Sequence, residues 1–105
     1  MPRILVLRTV LAALTILFGP PAMASMELAR KYSCVSCHAP DRKLVGPAYR
    51  DIAARYRDQT EAVARLAEKV RNGGSGVWGR MVMPPMTKVP DADRKALVEW
   101  ILSTR

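Results

Sequence analysis

The sequence predicts a small all-α domain, and three observations support this fold class. Four stretches of the chain place apolar residues at the i, i+3, i+4 and i+7 positions of an amphipathic helix. Residues suited to begin or end helices separate these stretches. No stretch has the alternating apolar and polar pattern of a strand. We therefore expect about four short helices and no sheet.

The first 24 residues have the three parts of a secretory signal peptide. Arg3 and Arg8 form a basic start, an apolar run covers residues 9–18, and Ala22-Met23-Ala24 is an A-x-A cleavage site. The run is shorter than the roughly 20 apolar residues that span a bilayer, so we expect no stable membrane anchor. Cleavage after Ala24 is predicted to leave residues 25–105 as one exported domain in the periplasm.

The chain is basic, with 17 Lys and Arg against 9 Asp and Glu and a net charge of +8. The predicted leader contains two arginines and no acid, so the exported domain keeps a net charge of +6. Such a balance suits nucleic acid, a membrane surface or an acidic protein. Export and the absence of any run of five like charges disfavour nucleic acid. A membrane surface and acidic protein partners remain as possible binding targets.

The first two helices are predicted over residues 26–32 and about 49–57. Ser25 is suited to cap the first helix, and Leu28 and Tyr32 lie one turn apart on it. The apolar residues of the second helix share one face. They are Tyr49, Ile52, Ala53 and Tyr56.

Thr60 is predicted to cap the third helix and Asp91 the fourth. Asn72-Gly73-Gly74 ends the third helix with residues that tolerate left-handed geometry. Residues 73–90 then form a loop rich in Gly, Pro and Met, and so long a loop in a small domain is usually functional. The apolar stripes are Val63, Leu66, Ala67 and Val70 in the third helix, and Leu97, Val98, Ile101 and Leu102 in the fourth, with Trp100 beside the latter.

Cys34-Val35-Ser36-Cys37-His38 is a Cys-x-x-Cys-His motif, the attachment signature of a c-type haem. Two thiols can add to the two haem vinyl groups, and the adjacent histidine then lies under the iron as an axial ligand. The motif contains both cysteines and the one histidine of the chain. Three such ligands are too few for a structural zinc site, and the βαβ pattern of a thioredoxin-like protein is missing. A plain disulfide between the two cysteines is the remaining alternative.

The second axial ligand has to be another residue type, because the chain has a single histidine. Methionine is the next candidate, and the long loop contains Met81, Met83 and Met86. Any of the three can instead fill the core. Met83 has the best context, because Pro84-Pro85 follows it and stiffens the backbone. Chemistry alone leaves the choice open.

Taken together, these motifs resemble those of the short monohaem class I cytochromes c of bacteria, which are periplasmic electron carriers. The resemblance covers the exported domain and rests on the haem motif followed in order by Val45-Gly46-Pro47-Ala48-Tyr49, Gly76-Val77-Trp78-Gly79 and Met83-Pro84-Pro85. It implies a cytochrome c fold, about four short helices wrapped around one covalently bound haem c. It also implies a one-electron shuttle that is not an enzyme.

The resemblance assigns roles to residues by their position in these motifs. The thioethers and the two axial iron ligands would be, in chain order, Cys34, Cys37, His38 and Met83. The carbonyl of Pro47 would accept a hydrogen bond from the histidine ring, which orients the ring and makes it more basic. The indole N–H of Trp78 would bond a haem propionate, with Lys69 and Arg71 nearby, although packing and helix-end effects also account for these residues.

Three positions depart from the family pattern, and one of them is Ala29, which replaces a larger apolar residue. Met86 stands where many relatives have an asparagine that can hydrogen-bond near the ligand sulfur. The strength of the iron–sulfur bond and the reduction potential are therefore not fixed by the family pattern, and Met86 is a second candidate ligand. Ser33 replaces a common glycine before the first cysteine.

The expected partners are redox proteins with acidic docking patches, such as a reductase, an oxidase or a peroxidase, and the protein is expected to be a monomer. Basic loop residues are predicted to surround the exposed haem edge: Arg42, Lys43, Arg80 and Lys88. Two other functions are retained as alternatives. One is a haem sensor or catalyst with a labile sixth site, and the other is a haem-free secreted dithiol protein.

Overall fold

The computed structural model describes residues 14–15 and 21–105, and this part of the chain contains four α-helices and no strand longer than an isolated bridge. The helices are α1 (Pro21–Lys31), α2 (Tyr49–Tyr56), α3 (Ala62–Asn72) and α4 (Asp91–Leu102). The 3-10 turn Cys34–Ser36 follows α1. The predicted all-α class and the four helices are confirmed.

Most of the predicted leader, including the apolar run 9–18 apart from residues 14–15, lies outside the described residues. Within the described residues, none of the helices combines the length and apolar character that a membrane span needs.

Helix α4 is the centre of the fold, because α1, α2 and α3 all pack against it. One core cluster joins Ala29 of α1, Val89 of the long loop and Leu97 of α4. The hydroxyl of Tyr32 donates a hydrogen bond to Asp93 at 2.5 Å, which ties the end of α1 to the first turn of α4. Helices from both ends of the domain therefore meet on one side of the core.

The predicted apolar faces are confirmed. Tyr49 and Ala53 are buried on α2, and Leu97 and Val98 are buried on α4. The other apolar members of the predicted stripes are half-buried: Ile52 and Tyr56 on α2, Val63, Leu66, Ala67 and Val70 on α3, and Trp100, Ile101 and Leu102 on α4. The 3.6-residue period thus identifies which side of each helix faces the interior.

The predicted first helix begins too late. Helix α1 starts at Pro21, so in the full chain Ser25 is a buried residue inside the helix and not its cap. Proline is well suited to the first turn of a helix, since the N–H it lacks would have no partner there.

Two further capping predictions are wrong. The residue that precedes α3 is Glu61, in a left-handed conformation with φ 62°, and not Thr60. The residue that precedes α4 is Pro90, whose extended backbone leads directly into Asp91 as the first helical residue. Neither end has a side-chain cap bond, although Asp91 and Asp93 still place negative charge in the first turn of α4, where the helix dipole favours it.

Candidate haem site

A cavity of about 340 Å³ lies between α2, α3, α4, the 3-10 turn and the long loop 73–90. Apolar side chains dominate its wall, and its volume falls in the range of pockets that hold small molecules and cofactors. The residues predicted to attach the haem, bind its iron or hydrogen-bond beside it line this one cavity: Cys34, Cys37, His38, Pro47, Trp78 and Met83. They come from widely separated parts of the chain.

The ring of His38 is held in one orientation. Its Nδ1 lies 2.7 Å from the carbonyl oxygen of Pro47. Because a carbonyl can only accept, Nδ1 carries the proton and Nε2 keeps its lone pair. The ring also stacks on Tyr49, with centroids 5.4 Å apart and planes 19° apart. Nε2 is therefore the nitrogen left free to bind a metal.

Gly46 makes this orientation sterically feasible. A Cβ at this position would lie 2.5 Å from Cε1 of His38 and 2.9 Å from Nδ1, so the ring rests directly on the backbone. The N–H of Gly46 donates to the carbonyl of Cys37 at 2.8 Å, and the N–H of Tyr49 donates to Ala39 at 2.9 Å. These bonds fold the loop between the haem motif and α2 back against the histidine.

The two cysteines are half-buried at the 3-10 turn, and no disulfide joins them. Burial raises the pKa of the Cys34 thiol above its usual value. The residue before the turn, Ser33, has a left-handed backbone with φ 61° and ψ 20°. Glycine adopts this conformation without a steric cost, which explains physically why a glycine is common at this position of the family pattern.

The backbone of Met83 is fixed against the end of α3. Gly74 and Met83 exchange two backbone hydrogen bonds, at 3.0 and 2.8 Å. Gly73, with φ 68°, lies directly beneath this segment, since a Cβ there would overlap the Met83 carbonyl and lie 2.8 Å from the Pro84 carbonyl carbon. The Asn-Gly-Gly end of α3 thus serves as the support for Met83-Pro84-Pro85.

The three candidate methionines all line the cavity but differ in their surroundings. Met81 is 66% exposed, whereas Met83 and Met86 are half-buried. The side chain of Met86 also packs against the core cluster of α1 and α4, and its N–H donates to Val70 at 3.0 Å. Met86 therefore has a packing role that Met83 lacks.

Trp78 lines the cavity and is 40% exposed. The guanidinium carbon of Arg55 lies 4.9 Å from the centre of its ring. Lys69 also lines the cavity. Arg71 does not line it; together with Asp91 and Arg94 it lines a separate surface depression.

Both apolar and polar exposed residues line the cavity. The large apolar ones are Val45, Val77, Trp78, Met81 and Val82, and the polar ones include Lys69 and Ser75. The four basic residues predicted to surround the opening are exposed in the flanking loops and are not part of the cavity wall. Arg42 lies 3.7 Å from the carboxylate of Asp41, with both side chains largely exposed.

Tyr49 is a site residue that sequence analysis placed only on the buried face of α2. Its hydroxyl is buried and has no hydrogen-bond partner among the described residues, and burial raises its pKa. On the other side its ring meets Trp100 of α4 edge-on, with centroids 5.2 Å apart. The position of Tyr49 two residues after Pro47 was the only signal in the sequence. Its stacking on His38 depends on how the loop between the haem motif and α2 folds, which the sequence does not show.

The donors around this cavity fit a haem. One imidazole nitrogen, thioether sulfurs and two thiols suit an iron atom carried by a porphyrin, whose large apolar disc matches the wall. Residues 23–105 match the cytochrome c family along their whole length. The chain belongs to the cytochrome c family. The predicted family, fold and cofactor are confirmed.

The relatives of this cytochrome are small bacterial cytochromes. It is 48% identical to cytochrome c-552 of Nitrosomonas europaea over 94 residues, covering 90% of this chain and 91% of the relative. It is 51% identical to cytochrome c-551 of Allochromatium vinosum over 84 residues, covering 80% and 89%. The crystal structure of wild-type Nitrosomonas europaea cytochrome c552 superposes with a TM-score of 0.74 at 50% identity, covering 76% of this chain and 99% of that one.

This cytochrome therefore carries one covalent haem c with its iron and is an electron carrier, not an enzyme. The haem-free dithiol alternative is wrong, because family membership implies the haem that the Cys-x-x-Cys-His motif attaches.

Proposed function

We propose that this cytochrome is a one-electron shuttle of the periplasm, with haem bound to Cys34 and Cys37 and iron held between His38 and Met83. The observation that carries the proposal is the convergence of these four side chains on one apolar cavity. With both axial positions filled by the chain, no position is left for a substrate.

When bound, the haem supplies the ferric–ferrous couple that carries a single electron. The protein residues set how easily that electron is held. His38 presents Nε2, since its Nδ1 is engaged by Pro47, and this bond makes the ring a stronger donor. The neutral thioether of Met83 and the apolar wall favour the state with less net charge, which raises the potential.

Met83 is the proposed ligand in preference to its neighbours for physical reasons. Its backbone is held by two hydrogen bonds to Gly74 and rests on Gly73, so little freedom remains to be lost when the sulfur binds. Met81 is mostly exposed, and Met86 packs against the core cluster. The replacement of asparagine by Met86 is then a change in packing beside the ligand and not a change of ligand.

The optical spectrum of the oxidised protein tests this assignment. A weak charge-transfer band at the red end reports an iron–methionine bond, and we expect Met83→Ala to abolish it. The matched controls Met81→Ala and Met86→Ala should retain the band. Survival of the band in Met83→Ala, or its loss in Met86→Ala alone, would show that the ligand is another residue. Tight binding of carbon monoxide by the reduced wild-type protein would indicate a labile sixth site instead.

Residues 1–24 are proposed to be removed as a signal peptide, which leaves residues 25–105 as the cytochrome domain. The A-x-A sequence supports this boundary, although α1 includes it. Cleavage after Ala24 shortens α1 by about one turn and keeps Ala29 and Tyr32, which pack against α4. The intact mass of the exported protein should correspond to a chain that starts at Ser25 and carries one haem.

The proposed partners are redox proteins with acidic patches that meet this cytochrome as a monomer. The net charge of +6 that residues 25–105 keep after cleavage and the exposed basic side chains of the loops support this choice. The apolar residues at the opening add a requirement, because a docked partner has to cover them. An acidic rim around an apolar centre is the complementary surface. The indole of Trp78, on the same wall, is proposed to bond a haem propionate.

A further inference from the structure

Residues 75–82 form a projecting segment of the cavity wall between Gly74 and Met83. A turn closes the segment, with the N–H of Gly76 donating to the carbonyl of Gly79 at 2.8 Å. Both glycines have positive φ, 92° and 116°, and no atom lies within 4 Å of where a Cβ would be. The segment carries Trp78, so its position determines where the indole lies relative to the cavity.

A single side chain ties this segment to the helices. Among the hydrogen bonds of the described residues, the one that joins residues 75–82 to another element runs from Nη1 of Arg55 to the carbonyl of Val77, at 3.3 Å. The same guanidinium lies over the ring of Trp78 at 4.9 Å. One planar cation therefore contacts both a backbone carbonyl and an aromatic face of the segment.

Arg55 projects from an element that is itself well fixed. Helix α2 buries Tyr49 and Ala53, and Tyr49 stacks on the ring of His38. The contact between Arg55 and Trp78 thus links the tryptophan to α2, the same helix whose Tyr49 supports the ring of His38. Lysine is a poor substitute, because only the flat guanidinium can stack on an indole and donate to a carbonyl in a fixed geometry.

We propose that Arg55 is a positioning residue of the haem site, holding the Val77–Trp78 segment and the indole against the cavity. The inference rests on the proposed binding of haem in that cavity. In this proposal Arg55 acts through the shape and direction of its guanidinium contacts, and not through its positive charge alone. The alternative, an exposed arginine that adds only positive charge, predicts that lysine restores the wild-type behaviour.

Hydrogen exchange in the reduced haem-loaded protein tests the proposal. Nuclear magnetic resonance can follow the indole N–H of Trp78 and the amide of Gly76, which closes the turn. In Arg55→Lys and Arg55→Gln, we expect both groups to exchange about five- to tenfold faster, the effect of losing one cation–π contact and one hydrogen bond. The matched control is Arg50→Gln, an exposed change of the same charge on the same helix, which should shift exchange less than twofold.

Three results would overturn the proposal: unchanged exchange in both Arg55 variants, an equal rise in the Arg50→Gln control, or full restoration by lysine. The reduction potential is the second readout, and it should shift in Arg55→Lys although the charge is kept. The red charge-transfer band, recorded for every protein, separates this inference from the proposed function. Its absence from the wild type would contradict the proposed ligands, whereas its persistence with normal exchange would contradict the role of Arg55.

Discussion

At the scale of single residues, the site depends on two glycines at which the backbone comes close to the proposed iron ligands His38 and Met83. Gly46 allows the ring of His38 to rest on the chain, and Gly73 allows the Met83 segment to do the same. The sequence motifs identify these two glycines but do not show why glycine is required at each position. The contact of each glycine with its neighbour depends on the folded loop, so it becomes visible only in three dimensions.

Ser33 illustrates a residue-scale cost that can be measured. It holds φ 61° immediately after α1, a conformation that costs a residue with a Cβ roughly 1–2 kcal/mol. Ser33→Gly removes this cost but makes the unfolded chain more flexible, so we expect a net gain in unfolding free energy of about 0.5–1 kcal/mol. Denaturant unfolding of the haem-loaded protein measures the gain.

The control for this prediction is Ser36→Gly, since Ser36 lies in the 3-10 turn and has no positive φ. Glycine there brings only added flexibility, and we expect a loss of about 0.5–1 kcal/mol. A loss of stability in Ser33→Gly, or equal effects in the two variants, would contradict the strain assigned to Ser33.

At the scale of elements, the helical faces were predictable, as were the start of α2 and the end of α3, but the residues that precede α1, α3 and α4 were not. Apolar spacing is a property of each segment, and α2, α3 and α4 bury the predicted sides. Thr60 and Asp91 were suitable capping residues by type, but Glu61 and Pro90 precede the helices because the incoming loops approach at angles set by packing. The hydrogen bond from Arg55 to the carbonyl of Val77 joins residues 22 positions apart and leaves no periodic signal in the sequence.

The junction of α1 with α4 should make stability depend on alkaline pH. The hydrogen bond to Asp93, with lesser contributions from burial and from the carboxylate charge, raises the pKa of Tyr32 above its usual value near 10. The folded state therefore favours the protonated phenol. Its contribution is complete below about pH 10 and declines as the pH rises through the higher pKa of the folded state.

The comparison of wild type with Tyr32→Phe isolates this effect, because the raised pKa of the buried Tyr49 is common to both proteins. Unfolding free energies measured from pH 8 to pH 12 should differ most at the lower pH and converge as the pH increases. Parallel curves across this range would mean that the bond to Asp93 does not contribute in solution.

At the scale of the whole molecule, the charged and apolar residues are distributed over the surface in a way that composition alone does not reveal. The count of charged residues predicted acidic partners, but the wall of the opening is mostly apolar, and the four basic residues expected around it do not line it. If acidic partners dock there as proposed, long-range attraction would bring a partner close and burial of apolar surface would complete the contact. Ionic strength should affect the first step much more than the second.

Stopped-flow measurement of electron transfer with an acidic redox protein can separate the electrostatic contribution to docking from the apolar contribution. We expect the second-order rate constant to fall at least tenfold as salt increases from about 10 mM to about 0.5 M, because the Debye length contracts from about 30 Å to less than 8 Å. The double change Arg42→Gln and Lys43→Gln should lower the rate at low salt, whereas Arg71→Gln, away from the cavity, should not. A rate that is flat across this range would rule out electrostatic docking.

The aromatic column that runs from His38 through Tyr49 to Trp100 couples the proposed ligand ring to the last helix. His38 belongs to the haem motif at the start of the domain, whereas Trp100 belongs to α4 at its end. Because Tyr49 contacts both rings, a change in the packing of α4 would also change the tilt of the His38 ring. The orientation of this ligand therefore depends on the two ends of the domain together.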